Sequence, residues 1–184
     1  NSNDAKVWLE EKLSCENQMI IERSKQYQDL EGMGTTVVCA MFFEKKCLIA
    51  HLGDSRAYIL HDQKLVQLTE DHSLVNELVK RGEIRADEAK HHPQKNIVTR
   101  TLGISENVSL DFDELILVSG DKVMLCSDGL TNMVDDDVIE KFLQKDESLD
   151  TQCQELIAKA NENGGNDNIT VLLADFSSKD GDMP

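Results

Sequence analysis

No two cysteines in this sequence stand at C-x-x-C spacing, and the five present (Cys15, Cys39, Cys47, Cys126 and Cys153) are odd in number. That pattern suggests neither a disulfide framework nor a zinc knuckle; the thiols read as reduced, core or half-buried residues of a cytosolic protein. Basic residues are also scarce, 19 Lys and Arg against 35 Asp and Glu, for a formal charge of -16. A surface of that sign repels nucleic-acid phosphates and anionic lipid, so neither nucleic acid nor a membrane is expected as a partner. No apolar run reaches the roughly 20 residues of a membrane span, and Asn1-Ser2-Asn3-Asp4 is no basic leader. A soluble, unexported, cytoplasmic chain is the expectation. An initiator Met is missing as well, which hints at an upstream portion outside this polypeptide.

With 184 residues, 40% of them hydrophobic, the chain can fill one substantial core. Residues 1–176 are therefore read as a single domain and the small polar stretch 177–184 as a disordered tail. Apolar residues recur at three- and four-residue intervals from Asp4 to about Lys25 (Trp8, Leu9, Leu13, Met19, Ile20), which predicts one long amphipathic helix. Beyond Gly32-Met33-Gly34, the β-branched and apolar runs 35–43, 47–52, 57–60 and 64–69 predict two hairpins in one antiparallel meander. A helix capped by Asp71 or Ser73 and stopped at Gly82, then a shorter one over residues 85–90, form a polar connection. Strands are predicted over 97–102, 108–113, 115–118 and 122–126. The chain then closes with helices after Asp135-Asp136-Asp137 and over 150–163, and a buried strand over 169–176. The acidic triplet fits a helix N-terminus, where negative charge is favoured.

Three aspartates stand where an apolar strand meets glycine or asparagine: Gly53-Asp54-Ser55-Arg56, Ser127-Asp128-Gly129 and Gly165-Asn166-Asp167-Asn168. Singly, each is explained as an ordinary turn aspartate. Together they offer hard oxygen ligands at the rim of a rigid sheet, a donor set suited to Mn²⁺ or Mg²⁺ rather than zinc. Cys126 lacks the phosphate loop and following Arg that a thiol phosphatase needs, and Gly32-Met33-Gly34 lacks the Lys-Ser/Thr of a P-loop. They read as a core residue and a tight turn. Arg56 is expected to pair with a carboxylate and fix its turn.

Taken in order, Gly32-Met33-Gly34-Thr35-Thr36, His51-Leu52-Gly53-Asp54-Ser55-Arg56, Thr69-Glu70-Asp71-His72-Ser73, Ser127-Asp128-Gly129-Leu130 and Gly165-Asn166-Asp167-Asn168-Ile169-Thr170 resemble the bacterial type 2C (PPM) protein phosphatases, from about Gly32 to Phe176. The resemblance implies an α+β fold, a four-layer α-β-β-α sandwich with two central antiparallel sheets. It implies metal-dependent hydrolysis of phosphoserine and phosphothreonine in proteins by a metal-bound hydroxide, opposing a bacterial Ser/Thr kinase. Asp128 and Asp167 match ligands of one ion of a binuclear Mn²⁺ or Mg²⁺ centre, and Asp54 with Asp128 matches the pair that holds a third ion. Residues 79–100 match the flap over the cleft, where His92 is a candidate substrate contact.

The family's opening strand pair, with its phosphate-gripping Arg, its metal-bridging Asp and its general-acid His, has no match here. No catalytic residue beyond the metal ligands is therefore assigned, and the isolated piece is expected to be nearly inactive. The alternative is a non-catalytic regulatory or phosphoprotein-binding domain on the same scaffold; retention of Asp54, Asp128 and Asp167 weighs against it.

Overall fold

The structure is a computed structural model and describes residues 1–176, so the tail expected over 177–184 lies outside the described residues. The elements run α1 (Ser2–Gln26), β1 (Val37–Phe43), β2 (Lys46–Leu52), β3 (Arg56–His61), β4 (Lys64–Gln67), α2 (Leu74–Lys80), α3 (Ala86–Ala89), β5 (Asp111–Ile116), β6 (Lys122–Cys126), α4 (Asp128–Thr131), α5 (Asp136–Leu143), α6 (Leu149–Glu162) and β7 (Val171–Asp175). Two sheets form, a three-stranded one ordered β1-β2-β5 and a four-stranded one ordered β4-β3-β6-β7. The expected class, α+β with two antiparallel sheets and helices, is the class observed.

Among the described residues the chain divides into two compact units, one of residues 1–38, 50–54 and 70–112, the other of residues 39–49, 55–69 and 113–176. The second unit contains the whole four-stranded sheet. Its hairpin β3–β4 turns on Asp62 and Gln63 at φ 46 and 62, the left-handed pair that matches strand twist in a two-residue turn. Every neighbouring pair in this sheet is antiparallel, with Tyr58 opposite Met124 and Met124 opposite Leu173. Because side chains alternate along a strand, one face presents Tyr58, Leu60, Met124 and Cys126 to Leu130, Ile139, Leu143, Leu156 and Ala160 of the three C-terminal helices and to Val134 between α4 and α5. α5 starts as the sequence predicts, with Asp135 before it and Asp136 and Asp137 in its first turn; α6 starts at Leu149, where the Ser148 side chain accepts from the N–H of Thr151, and the short α4 is not among the predicted helices.

The first unit carries α1, whose buried stripe is Ala5, Leu9, Asn17 and Ile21. This stripe is rotated from the expected one, since Trp8 and Met19 are half exposed. The polar Asn17 belongs in it because its amide donates to the carbonyl of Ser105 at 2.8 Å and accepts from the N–H of Gly103 at 2.7 Å. Gly103 sits at φ +91, and a Cβ there would come within 2.5 Å of Ile20 Cγ2 and the Met33 carbonyl. Close approach therefore requires glycine.

Several expectations need correction. The four strands β1 to β4 are not one meander, for β1 and β2 belong to one sheet and β3 and β4 to the other. The chain changes sheet at Gly53, φ +108, and β3 pairs with β6, a segment distant in sequence. The run 97–102 forms no strand: Val98 and Leu102 make single bridges to Ser73 and Thr35. The two strands expected over 108–118 are one, β5, because Asp113-Glu114 continues extended rather than turning. β7 is an edge strand with Leu172 exposed rather than a buried one.

An ion pair in the second unit gives a pH signature. The buried Asp121 carboxylate accepts from the N–H of Val118 at 2.8 Å and meets the exposed His61 Nδ1 at 2.8 Å. Bonding to Asp121 holds the His61 pKa above its ordinary 6.5. A raised folded pKa contributes stability that is complete below the unfolded value and fades as pH climbs through the folded one. His61→Asn will thus depress the melting temperature more at about pH 5.5 than at about pH 8.5. Circular dichroism melts read the difference, and equal depressions at both values count against the pair.

Candidate metal centre

In the second unit, β6 delivers Asp128 and the loop ahead of β7 delivers Asp167, with Cys126 opposite Val171 as the last register pair. The ladder continues past the strand ends. Ser127 N–H donates to the Thr170 carbonyl at 3.1 Å, Thr170 N–H donates to Ser127 Oγ at 3.0 Å, and that hydroxyl donates to the Asn168 carbonyl at 3.1 Å. Gly129 closes the junction: a Cβ on it would lie 2.2 Å from the Asn168 carbonyl oxygen. Two backbone segments separated by forty residues are thereby held against each other with their aspartates at one end of the sheet.

The local bonding orients both carboxylates. Asp128 opens α4, and one turn later the Asn132 amide donates to its Oδ2 at 3.0 Å. Asp167 Oδ1 accepts from the N–H of Asn168 at 2.7 Å. Asp128 is half-buried and Asp167 exposed. Carboxylate oxygens at an open sheet end, oriented by neighbouring amides, fit a hard divalent cation, and Asn132 is the kind of outer partner that fixes a ligand's direction.

Asp54 lies in the first unit, on the turn that leaves β2. This turn is clamped from both sides. Gly53 leaves no room for a side chain, since a Cβ would lie 2.3 Å from Thr36 Cγ2. On its other side His72 accepts from Gly53 N–H at Nδ1 (3.0 Å), and its own N–H donates to the Gly53 carbonyl at 3.0 Å.

Among the described residues, His51, His72 and Asp111 form a group whose ligand atoms all lie within 4.8 Å of one another. The Arg100 guanidinium is already there, with Nη1 at 2.6 Å from His72 Nε2 and 2.9 Å from Asp111 Oδ1. A fixed protein cation occupies the position a metal would need, so we read the group as scaffold. Burial, reinforced by the Arg100 charge, pushes the His72 pKa below its ordinary value despite the pull of Asp111.

His92 lies in the stretch between α3 and β5, where its Nδ1 accepts from the N–H of Gln94 at 3.1 Å. Arg56 donates to the hydroxyl of buried Tyr58 at 3.0 Å, and that hydroxyl donates to Asp136 at 3.1 Å. The acidic triplet thus serves its helix start and this network. Cys126 is 2% exposed among the core residues under α4 to α6, and Cys15 is exposed on α1. Among the described residues no helix is long and apolar enough to cross a membrane.

Sequence reading missed Ser127, Asn132 and Asn168 as organisers of the centre. The placement of Asn132 four residues after Asp128 was a usable signal, one helical turn, but the bonds of Ser127 depend on a register that only the folded sheet sets.

A sequence model described as Protein phosphatase 2C matches residues 3–173. The serine/threonine phosphatase stp of Listeria monocytogenes serotype 4b is 43% identical over 174 residues, which are 95% of this chain and 69% of that protein. Among solved structures, the serine/threonine phosphatase Stp1 of Staphylococcus aureus matches with TM-score 0.92 at 38% identity, covering 97% of this chain and 70% of its own. The catalytic domain of the serine/threonine protein phosphatase PstP, solved in complex with two manganese ions, matches with TM-score 0.84 at 34% identity, covering 94% and 72%.

Proposed function

The chain belongs to the protein phosphatase 2C family, and from that membership we propose that it removes phosphate from phosphoserine and phosphothreonine in proteins at a centre of divalent metal ions. The observation that supports this most directly is the junction of Ser127 and Gly129 with Asn168, which holds the Asp128 and Asp167 segments together at one sheet end. Asp128 and Asp167 are assigned as ligands of one ion. Asp54 is assigned as a metal ligand by its motif, and a third ion is part of this reading. Mn²⁺ or Mg²⁺ fits the all-oxygen donor set, and the two manganese ions of PstP favour the former.

Bound there, such ions supply an acidified water and neutralise charge on the phosphoryl oxygens. The chain's own contribution is positional. Asn132 holds the Asp128 carboxylate, the Asn168 amide holds that of Asp167, and the β6–β7 ladder fixes their separation so that no reorganisation is needed as charge develops. Cys126 is shut in the core, so its thiol is not placed to take the phosphoryl group. No observation favours the non-catalytic alternative.

The finer assignments follow the same reading. The substrates are phosphorylated proteins made by a bacterial Ser/Thr kinase in the cytoplasm. The segment 79–100 acts as a substrate-selecting flap, with His92 Nε2 as the nitrogen that contacts the phosphopeptide, Nδ1 being committed to Gln94.

Chelation tests the metal requirement. A phosphothreonine peptide assay of the protein with the family's opening strands present will show turnover reduced at least about tenfold in excess EDTA, and added Mn²⁺ will restore it. Unchanged turnover in the chelator would overturn the metal-dependent reading.

A further inference from the structure

We propose that His72 is a positioning residue whose Nδ1 fixes the Gly53–Asp54 turn and so directs the Asp54 carboxylate toward its metal. The proposal rests on the reading of Asp54 as a metal ligand. His72 holds both backbone polar groups of the residue preceding Asp54, accepting the Gly53 N–H at 3.0 Å and donating its own N–H to the Gly53 carbonyl at 3.0 Å. Thr36 blocks the opposite side of the same glycine. With φ at +108 and both polar groups taken, the peptide leading into Asp54 has one orientation available.

The ring itself is immobilised from every direction. It is 9% exposed and stacks on His51 with centroids 4.8 Å apart and planes 11° apart. His51 is anchored in turn by Nε2 to the Glu70 carbonyl at 2.9 Å. At the far edge, His72 Nε2 faces Asp111 Oδ2 at 3.2 Å, and Arg100 ties Asp111 to the Ser109 carbonyl. A nitrogen that accepts from Gly53 carries no proton, and at the opposite edge Nε2 lies between the Asp111 carboxylate and Arg100 Nη1, 2.6 Å away. Asp111 and Arg100 together fix the far edge of the ring, as outer partners do for a ligating histidine. Here the histidine orients a backbone turn in place of a metal.

Two amide substitutions separate this role from simple core filling. An Asn side chain places its amide where His Nδ1 lies and can present an oxygen to Gly53 N–H, whereas Gln reaches the Nε2 position and leaves that N–H unbonded. Free Mn²⁺ measured by electron paramagnetic resonance reads binding without reference to turnover. His72→Asn will bind within about threefold of the parent, while His72→Gln and His72→Ala will require about tenfold more Mn²⁺ for half-saturation of the Asp54-dependent ion. Equal binding by His72→Gln and the parent, or binding by His72→Asn as weak as by His72→Ala, overturns the proposal.

Asp54→Asn in the same assay separates the two layers. Unaltered Mn²⁺ binding there removes the ligand assignment itself, whereas weakened binding there with unaltered binding in His72→Gln removes only the positioning role. A measurement on the unmodified protein needs no variant to fold: nitrogen NMR will show His72 Nδ1 unprotonated and scalar-coupled to the Gly53 amide. A protonated Nδ1 at neutral pH contradicts the proposal.

Discussion

In the protein with the family's opening strands present, replacing Asp128 or Asp167 with Asn will lower turnover of a phosphothreonine peptide by at least about a hundredfold. Removing an outer partner of a metal ligand commonly costs 10–100-fold, and removing the ligand itself costs at least as much. Asn keeps the volume and one carbonyl oxygen but removes the negative charge that draws a divalent cation from water. On the proposed assignment of both carboxylates to one ion, the two variants must also behave alike. Steady-state kinetics across a Mn²⁺ titration reads the effect. Full activity in either variant at saturating metal would remove that residue from the centre. Thermal melts provide the internal control: both substitutions are on partly or fully exposed side chains, so stability without metal will change little, while Mn²⁺-induced stabilisation will shrink.

Gly129→Ala will abolish the same activity through the backbone, with every metal ligand left in place. Its Cβ would lie 2.2 Å from the Asn168 carbonyl oxygen and 2.9 Å from the carbonyl carbon. A flexible side chain could swing away from such an overlap, but these are main-chain atoms bonded to Ser127 and anchored by the β6–β7 register. The strain is relieved only by separating the two segments, which moves Asp128 away from Asp167. Overpacking of this kind costs about 1–3 kcal/mol of stability, occasionally more. Urea unfolding reads that loss, and Mn²⁺ titration reads the accompanying loss of affinity. Wild-type stability together with wild-type metal affinity would show that the two segments are not in the described contact.

Much of this arrangement was legible from local sequence. The strand Lys122–Cys126 is a short apolar run ended by Ser127-Asp128-Gly129, the hairpin over Asp62 and Gln63 is a two-residue turn, and Ser73 and Asp135 begin their helices where the sequence places them. In each case the signal and its cause lie within a few residues. The run 97–102 carries the same apolar signal without a strand partner along its length, so its backbone is satisfied at single bridges. Asn17 was unreadable as a core residue because its partners, Gly103 and Ser105, lie more than eighty residues away.

The candidate centre divides along the same line. The three aspartates stood out by their glycine and asparagine neighbours, and five ordered motifs gave the family. The support around them did not stand out, because Ser127 meets Asn168 and His72 meets Gly53 only once the strands are in register. His72 was quoted within a motif yet given no role, since nothing in Thr69-Glu70-Asp71-His72-Ser73 says which way the ring turns.

Anomalous scattering from crystals grown in Mn²⁺ puts the whole reading to its shortest test. Peaks roughly 2.0–2.3 Å from carboxylate oxygens of Asp128 and Asp167 are the predicted result, as hard oxygen ligation requires. Manganese bound only among His51, His72 and Asp111, or absent from both aspartates, would contradict it.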